Sequence, residues 1–165
     1  MSGVGPISAA PAPGLWVGPF TPQNAVTAVG PATASKALFY GFTVPSAVTV
    51  GHASVMVATQ SGNVDIGIYD NTGKRLASTG STACGGAGAV QTIALTAPCT
   101  LMPGQVYWAA FCPDTTASSF WTGGSLPGFN VPGYMYRTLT SFPLPLNVTP
   151  VTNAPDRLYL IWFSA

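Results

Sequence analysis

The stretch VDIGIYDNTGKRLAS, residues 64–78, decides the fold of this chain. In its first half the apolar residues Val64, Ile66 and Ile68 alternate with other residues, a period of two that is typical of a β-strand with one buried face. The following Asp-Asn-Thr-Gly sequence predicts a tight turn, because Asp and Asn side chains bond their own backbone and Gly accepts a positive φ. Arg75–Ser78 is then the returning strand, so the stretch predicts an antiparallel hairpin.

Similar strand-like segments lie on both sides of the hairpin, separated by turns rich in Gly, Pro, Asn and Ser. The chain shows no helical periodicity, and its many Gly and Pro residues oppose long helices. The sequence therefore predicts an all-β, antiparallel β-sandwich, and among sandwiches we expect a jelly roll. A long loop is predicted over 114–132, and the run VYWAAFC at 106–112 predicts a fully buried strand. The predicted strands are 37–43, 48–59, 64–69, 75–78, 90–95, 106–112, 134–139 and 157–163.

Charged residues make up only 5% of the chain, and there is no Glu among them. Ordinary soluble domains carry about a quarter charged residues. Hydrophobic residues make up 47%, which excludes a disordered chain. No apolar run approaches the roughly 20 residues of a membrane-spanning helix, and the few cations form no basic stripe. We therefore expect no membrane and no nucleic acid as partners, and apolar surface hidden in a core and in other subunits.

The domain organisation follows from a change of composition near Lys36. Residues 1–35 are rich in Pro, Ala and Gly and predict an extended N-terminal arm, and residues 36–165 predict the β-sandwich domain. Within the arm, large apolar residues have little local sequence to bury them, so they either lie on their own domain or dock on a neighbouring subunit. The arm lacks the basic start and continuous apolar stretch of a secretory signal. The candidate arm or subunit-interface residues are Leu15, Trp16, Val17 and Phe20.

Three cysteines, Cys84, Cys99 and Cys112, stand at wide spacings. In a protein made in the cytosol, free buried thiols are the expected state, although a Cys84–Cys99 or Cys99–Cys112 bridge stays open. No C-x₂-C pair is present, so the spacing argues against a zinc site. We therefore expect no metal.

The few ionisable residues leave little material for catalysis. Every Ser or Cys triad would have to use His52, the only histidine, for which a hydrogen-bonded or interface role is expected. Asp70 is explained by its turn, and Asp65 is expected on the polar face of its strand, in an exposed ion pair with Lys74 or Arg75. The glycine-rich sequence at 84–88 leads into no helix, as a phosphate-binding loop would. The sequence therefore predicts that the protein is not an enzyme and carries no cofactor.

Aromatic residues cluster in and beside the Gly- and Pro-rich sequence that follows the predicted buried strand. In loops, such rings stack on sugars, but Tyr, Trp and Phe are also enriched in subunit interfaces, which is the interpretation we favour. The residues of this candidate loop contact surface are Trp121, Phe129, Tyr134 and Tyr136.

Two segments carry a resemblance to a known class of proteins. GNVDIGIYDNTGKRL at 62–76 and LMPGQVYWA at 101–109 resemble a strand-turn-strand and a following strand found in small β-sandwich modules of bacteriophage virion proteins. Head decoration proteins, tail fibres and baseplate components contain such modules. The resemblance covers roughly residues 48–112, rests on structural motifs and brings no catalytic residue. It implies a rigid virion module, commonly trimeric.

Composition and resemblance together predict a structural virion protein, assembled in the host cytoplasm. The first hypothesis is a capsid decoration or cement protein that stabilises the head through its arm and through homotrimer contacts. Its partners would be copies of itself and the major capsid protein or another virion protein. The alternative is a tail-fibre or tail-tip module that binds host surface glycan through the 114–136 loops, and a third hypothesis is a free-standing lectin-like module.

Overall fold

A computed structural model describes residues 27–31, 33–122, 135–138, 142–149 and 159–165, the backbone alone for 135–138. These ranges contain strands and no helix, so the predicted all-β class is confirmed. The strands are β1 Thr27–Val29, β2 Lys36–Phe42, β3 Val48–Thr59, β4 Asn63–Asp70, β5 Arg75–Ser78, β6 Thr82–Ala83, β7 Val90–Leu101, β8 Tyr107–Pro113, β9 Ser119–Thr122, β10 Met135–Thr138 and β11 Ile161–Ser164.

The strands form two antiparallel sheets. In the six-stranded sheet the order is β10-β2-β8-β4-β5, and β6 also pairs with β4. The five-stranded sheet has β3 at its centre, with β7 on one side, β9 and β11 on the other, and β1 outside β9. The sheets pack face to face, which confirms the predicted β-sandwich.

The main core lies between the sheets and contains aromatic contacts that join them. Phe111 of β8 lies with its ring centroid 4.8 Å from that of Phe120 on β9 and 5.1 Å from that of Tyr159. Phe42 of β2 stacks on Phe163 of β11 at 6.0 Å. Burying each such side chain stabilises the fold by about 1.5–3 kcal/mol, so these rings fix one sheet on the other.

The predicted hairpin is confirmed, because β4 pairs with β5 across the predicted turn. The Oδ1 atom of Asp70 accepts hydrogen bonds from the backbone N–H groups of Thr72, at 2.9 Å, and Lys74, at 3.0 Å. Gly73 has a φ of 87°, the left-handed conformation that favours glycine. The turn is therefore held by the local chemistry that the sequence indicated.

Several features of the strands differ from the predictions. The sequence predicts no strand where the short β1 and β6 lie. Strand β9 lies inside the predicted 114–132 loop, and β7 continues to Leu101, past the predicted end at 95. Strand β8 begins at Tyr107, so the prediction that Val106 is buried was wrong: this side chain is 43% exposed. These elements depend on pairing with distant strands, whereas the sequence pattern reports only local alternation.

Part of the predicted arm 1–35 falls within the described residues. Strand β1 pairs with β9, and the backbone N–H of Ser35 donates to the carbonyl of Pro113 at 2.9 Å. The chain before Thr27 lies outside the described residues.

Candidate interaction surfaces

The predicted contact residues are distributed unevenly over the described ranges. Trp121 lies on β9, and Tyr136 lies on β10, where its backbone pairs with Leu38. The two strands belong to different sheets. The remaining predicted residues, Leu15, Trp16, Val17, Phe20, Phe129 and Tyr134, lie outside the described residues.

Trp121 occupies a strand, whereas the sequence placed it in a loop. It pairs with Ala28 of β1, and its carbonyl accepts a hydrogen bond from the N–H of Leu160 at 3.0 Å. Its side chain is half-buried and packs against the main core. Trp121 therefore contributes to the packing of the five-stranded sheet.

The outer face of the six-stranded sheet carries a second apolar cluster, which we call the outer-face cluster. Phe39 and Tyr69 meet there edge to face, with ring centroids 5.2 Å apart. Segment 142–149, which we call the strap, lies against this face. The buried members of the cluster are Ala37, Phe39, Tyr69, Ala110, Cys112 and the strap residues Leu144 and Val148.

Three side chains of the hairpin hold the strap. Asp65 Oδ2 accepts the backbone N–H of Leu144 at 3.0 Å, and the Arg75 guanidinium donates to the carbonyl of Leu144. The hydroxyl of Tyr69 donates to the carbonyl of Pro145 at 2.6 Å. These bonds satisfy strap backbone groups that would otherwise be buried without a partner.

Two backbone hydrogen bonds and the close approach of Leu144 to Gly67 also hold the strap against the sheet. The N–H of Arg75 donates to the carbonyl of Leu146, and the N–H of Val148 donates to that of Gly73, both at 2.8 Å. At Gly67 a Cβ atom would lie 3.0 Å from Cδ1 of Leu144. Glycine at this strand position therefore makes room for the leucine side chain.

The burial of Asp65 differs from the prediction made from the sequence. Asp65 was expected in an exposed ion pair with Lys74 or Arg75, yet it is 0% exposed. Burial raises the pKa of Asp65, while the N–H of Leu144, the charge of Arg75 and the hydroxyl of Thr79 act in the opposite direction. The alternation correctly placed Asp65 opposite the apolar set, but the second face of this sheet is covered as well.

A third surface lies at one end of the sandwich. Loop 43–47 joins β2 to β3, and loop 102–106 joins β7 to β8; the two lie at the same end because β2 pairs with β8 and β3 with β7. Neither loop contains a charged residue. Met102, 51% exposed, and Val106, also exposed, stand at the two ends of loop 102–106. We call the surface of these two loops the turn-end patch.

The turn-end patch has a fixed support. The backbone N–H of Met102 donates to the hydroxyl of Tyr107 at 2.8 Å, and the ring of Tyr107 lies 5.9 Å from that of Phe42. Gly104 takes a φ of 79° in the turn between Met102 and Tyr107. The sequence predicts only a turn here, although apolar residues on both sides of a Pro-Gly turn are a signal that could indicate an exposed apolar surface.

The states of the three thiols and of the histidine match those predicted from the sequence. The three cysteines are free and buried, and burial raises their pKa values, that of Cys112 to about 12. His52 is exposed, and its Nδ1 atom lies 2.9 Å from the backbone oxygen of Ala165, so the expected hydrogen-bonded role is confirmed.

Within the described ranges, no group of three or more His, Cys, Asp or Glu side chains is placed to hold a metal ion. The same ranges contain no helix long and apolar enough to cross a membrane.

No protein-family model matches the chain, and neither a curated protein nor a solved structure matches it significantly.

Proposed function

We propose that this chain is a structural protein of a bacteriophage virion, a decoration or cement protein that stabilises the head. The observation that carries the proposal is the placement of the two segments of the resemblance. They are separated in sequence but form adjacent strands, with Ile68 opposite Ala109, Tyr69 opposite Trp108 and Asp70 opposite Tyr107. The resemblance thus falls on one contiguous unit at the centre of the six-stranded sheet.

The distribution of apolar residues supports a structural role. The six-stranded sheet is packed on both faces, by the main core and by the outer-face cluster. Such double packing makes a rigid module, because well-packed interiors resist deformation. The turn-end patch adds exposed apolar surface without charge, which is suited to contact with another subunit.

The proposed mechanism is burial without covalent chemistry. A jelly-roll domain would sit on the capsid as a homotrimer, and its N-terminal arm would contact neighbouring copies or the major capsid protein. An interface of standard size buries about 1,600 Å² per pair, and repetition over a shell multiplies the effect of each contact. Closed trimers would also cover apolar strand edges, which would protect so uncharged a chain from aggregation.

Deletion of residues 1–20 tests the proposal. We expect the truncated protein to fold and to be lost from heads, because the apolar residues of the arm are gone. Deletion of residues 1–10 is the matched control, since it shortens the arm but keeps Leu15, Trp16, Val17 and Phe20. The measurements are copy number per head and thermal unfolding of the free protein.

Full occupancy of heads by the 1–20 deletion would contradict the proposed arm contact. Absence of the intact protein from heads, together with its binding to host surface glycan, would favour the tail-module alternative.

A further inference from the structure

The direction of β1 shows where the preceding chain comes from. Strand β1 is antiparallel to β9, and β9 is antiparallel to β3, so β1 and β3 run in the same direction. Strand β3 begins beside loop 43–47, at the turn end of the sandwich. The chain that precedes Thr27 therefore enters the sheet from the side of the turn-end patch.

The register fixes how far β1 lies from that end. Val29 and Val57 both pair with Phe120 and so lie in one row of the sheet. Thr27 stands two residues before Val29, as Val55 stands two residues before Val57. Thr27 is therefore level with Val55 along the strand direction.

The number of residues from Thr27 to the turn end can be counted on the neighbouring strand β3 and compared with the chain that precedes Thr27. From Val55 back to the start of β3 at Val48 is 55 − 48, or seven residues, about 23 Å at the rise of a β-strand. From Thr27 back to Phe20 is 27 − 20, also seven residues. An extended chain thus reaches the end of its own sandwich at Phe20.

The other apolar residues of the arm lie further upstream. Val17 precedes Phe20 by three residues and Leu15 by five, a span of about 9–16 Å at the rise of an extended Pro-rich chain. Pro19 and Pro22 favour such extended conformations. Leu15 to Val17 would then pass beyond the end of their own domain.

We propose that Leu15, Trp16 and Val17 of one copy dock on the turn-end patch of a neighbouring copy. The chemistry matches, because the patch is uncharged and offers Met102 and Val106, while the segment offers three large apolar side chains. A methionine thioether makes favourable contacts with aromatic rings, which suits Trp16. This inference rests on the proposed function, since it names the acceptor surface for the arm.

Cysteine cross-linking between separate chains tests the contact. One full-length chain carries Val17→Cys and a second carries Met102→Cys, and the mixture is oxidised and run on a non-reducing gel. The native thiols are buried and have raised pKa values, so the introduced thiols react first. Val90→Cys in place of Met102→Cys is the control, because Val90 is 44% exposed and begins β7, at the end of the sandwich opposite to the patch.

We expect the disulfide-linked dimer to form at least about tenfold faster with Met102→Cys than with Val90→Cys, as for residues held in contact. Equal rates would overturn the inference. So would a chain carrying both Val17→Cys and Met102→Cys that closes only within itself, because the segment would then dock on its own domain.

A charge introduced into the patch separates the two proposals. Because Met102 is exposed in the single chain, Met102→Asp should leave thermal unfolding unchanged. It should weaken self-association about tenfold, as does the loss of a side chain that becomes buried in an interface. Val90→Asp, at the opposite end of the sandwich, is the control, and sedimentation of the full chain is the measurement. If deletion of residues 1–20 empties heads but Met102→Asp changes nothing, the acceptor surface is wrong and the proposed function stands. If that deletion leaves heads fully occupied, the proposed function itself fails.

Discussion

The two sheets of the sandwich differ in what covers their outer faces. The six-stranded sheet buries apolar side chains on both faces, with the strap over the second. On the five-stranded sheet, the outward residues of β7 are exposed, small and uncharged, among them Thr92, Ala94 and Thr96. Threonine hydroxyls pair across this face, as between Thr49 and Thr100 at 2.9 Å.

This difference shows where the described part of a chain with so few charges places its apolar and its polar side chains. The hydrophobic residues fill two layers, and much of the polar surface along β7 comes from hydroxyl groups that carry no charge. A neutral hydroxyl face costs less to desolvate than a charged one, so it suits contact with other subunits. Substitutions can test each layer separately. We expect their effects on the free energy of unfolding to decrease from the main core, through the outer-face cluster, to the hydroxyl face, the outer surface of the five-stranded sheet around Thr49 and Thr100.

The largest effect is expected in the main core. Phe111→Ala removes a fully buried ring that contacts both Phe120 and Tyr159, so we expect a loss of about 3–5 kcal/mol in the free energy of unfolding. Denaturant unfolding measures it. Val106→Ala, at an exposed position beside the same strand, should change the free energy by less than about 0.5 kcal/mol. Equal effects would mean that the core does not join the sheets as described.

The strap offers a matched pair of leucines. Leu144 is 2% exposed and fills the space at Gly67, so Leu144→Ala should cost about 2–4 kcal/mol by the same measurement. Leu146, two residues away on the strap, projects into solvent, so Leu146→Ala should be nearly neutral. A small loss at Leu144 would show that the outer-face cluster adds little to stability and would remove the contrast between the sheets.

The pH dependence should separate two aspartates of β4. Burial raises the pKa of Asp65, so its contribution to stability is fully present below the unfolded value near 3.8 and is lost as the pH rises through the raised value. Asp65→Asn should remove this loss, because an amide does not ionise in this pH range. The fold should be kept, because the amide can still accept the N–H of Leu144 and donate to the hydroxyl oxygen of Thr79. Melting temperature against pH is the measurement.

Asp70 should act with the opposite sign. Slight burial raises its pKa, but the hydroxyl of Thr72 and the N–H groups of Lys74 and Thr72 together outweigh this and lower it. Its contribution is therefore present above the unfolded pKa and lost as the pH falls through the lowered value. Asp70→Asn should flatten the acid side of the profile only. An unchanged profile in both variants would contradict the assigned environments.

The smallest effect is expected on the hydroxyl face. Thr49→Val, Thr100→Val and the double substitution form a cycle that isolates the exposed hydroxyl pair, and we expect a coupling of about 0.2–1 kcal/mol. The individual substitutions should leave cooperative unfolding intact. A coupling as large as the Leu144 effect would mean that this face holds the fold as strongly as the strap does.

Local chemistry made much of the fold predictable. The predicted bounds of β3 and β5 coincide with the observed strands, and those of β4 differ by one residue at each end. Alternation reports which residues share a face, and Asp with Gly reports a turn, both over a few residues. Strand β9 escaped prediction because its four residues become a strand only by pairing with β1 and β3.

The candidate site was predictable only in part. The sequence indicated that aromatic and apolar residues without charge would mediate contacts, but not that Trp121 packs in a strand or that Met102 stands exposed on a fixed turn. Both outcomes depend on which strands become neighbours. The exposure of a side chain depends on which segments pack beside it, and the sequence of a turn does not contain that information.

The sequence by itself determined the class of fold, the hairpin and the scarcity of ionisable groups, because these follow from composition and from chemistry between near neighbours. Only the tertiary structure decided the burial of Asp65, whose partner Leu144 lies 79 residues away. It also decided that one sheet is covered on both faces and that two uncharged loops meet at one end. Such contacts form when distant segments pack together, and no local pattern records them.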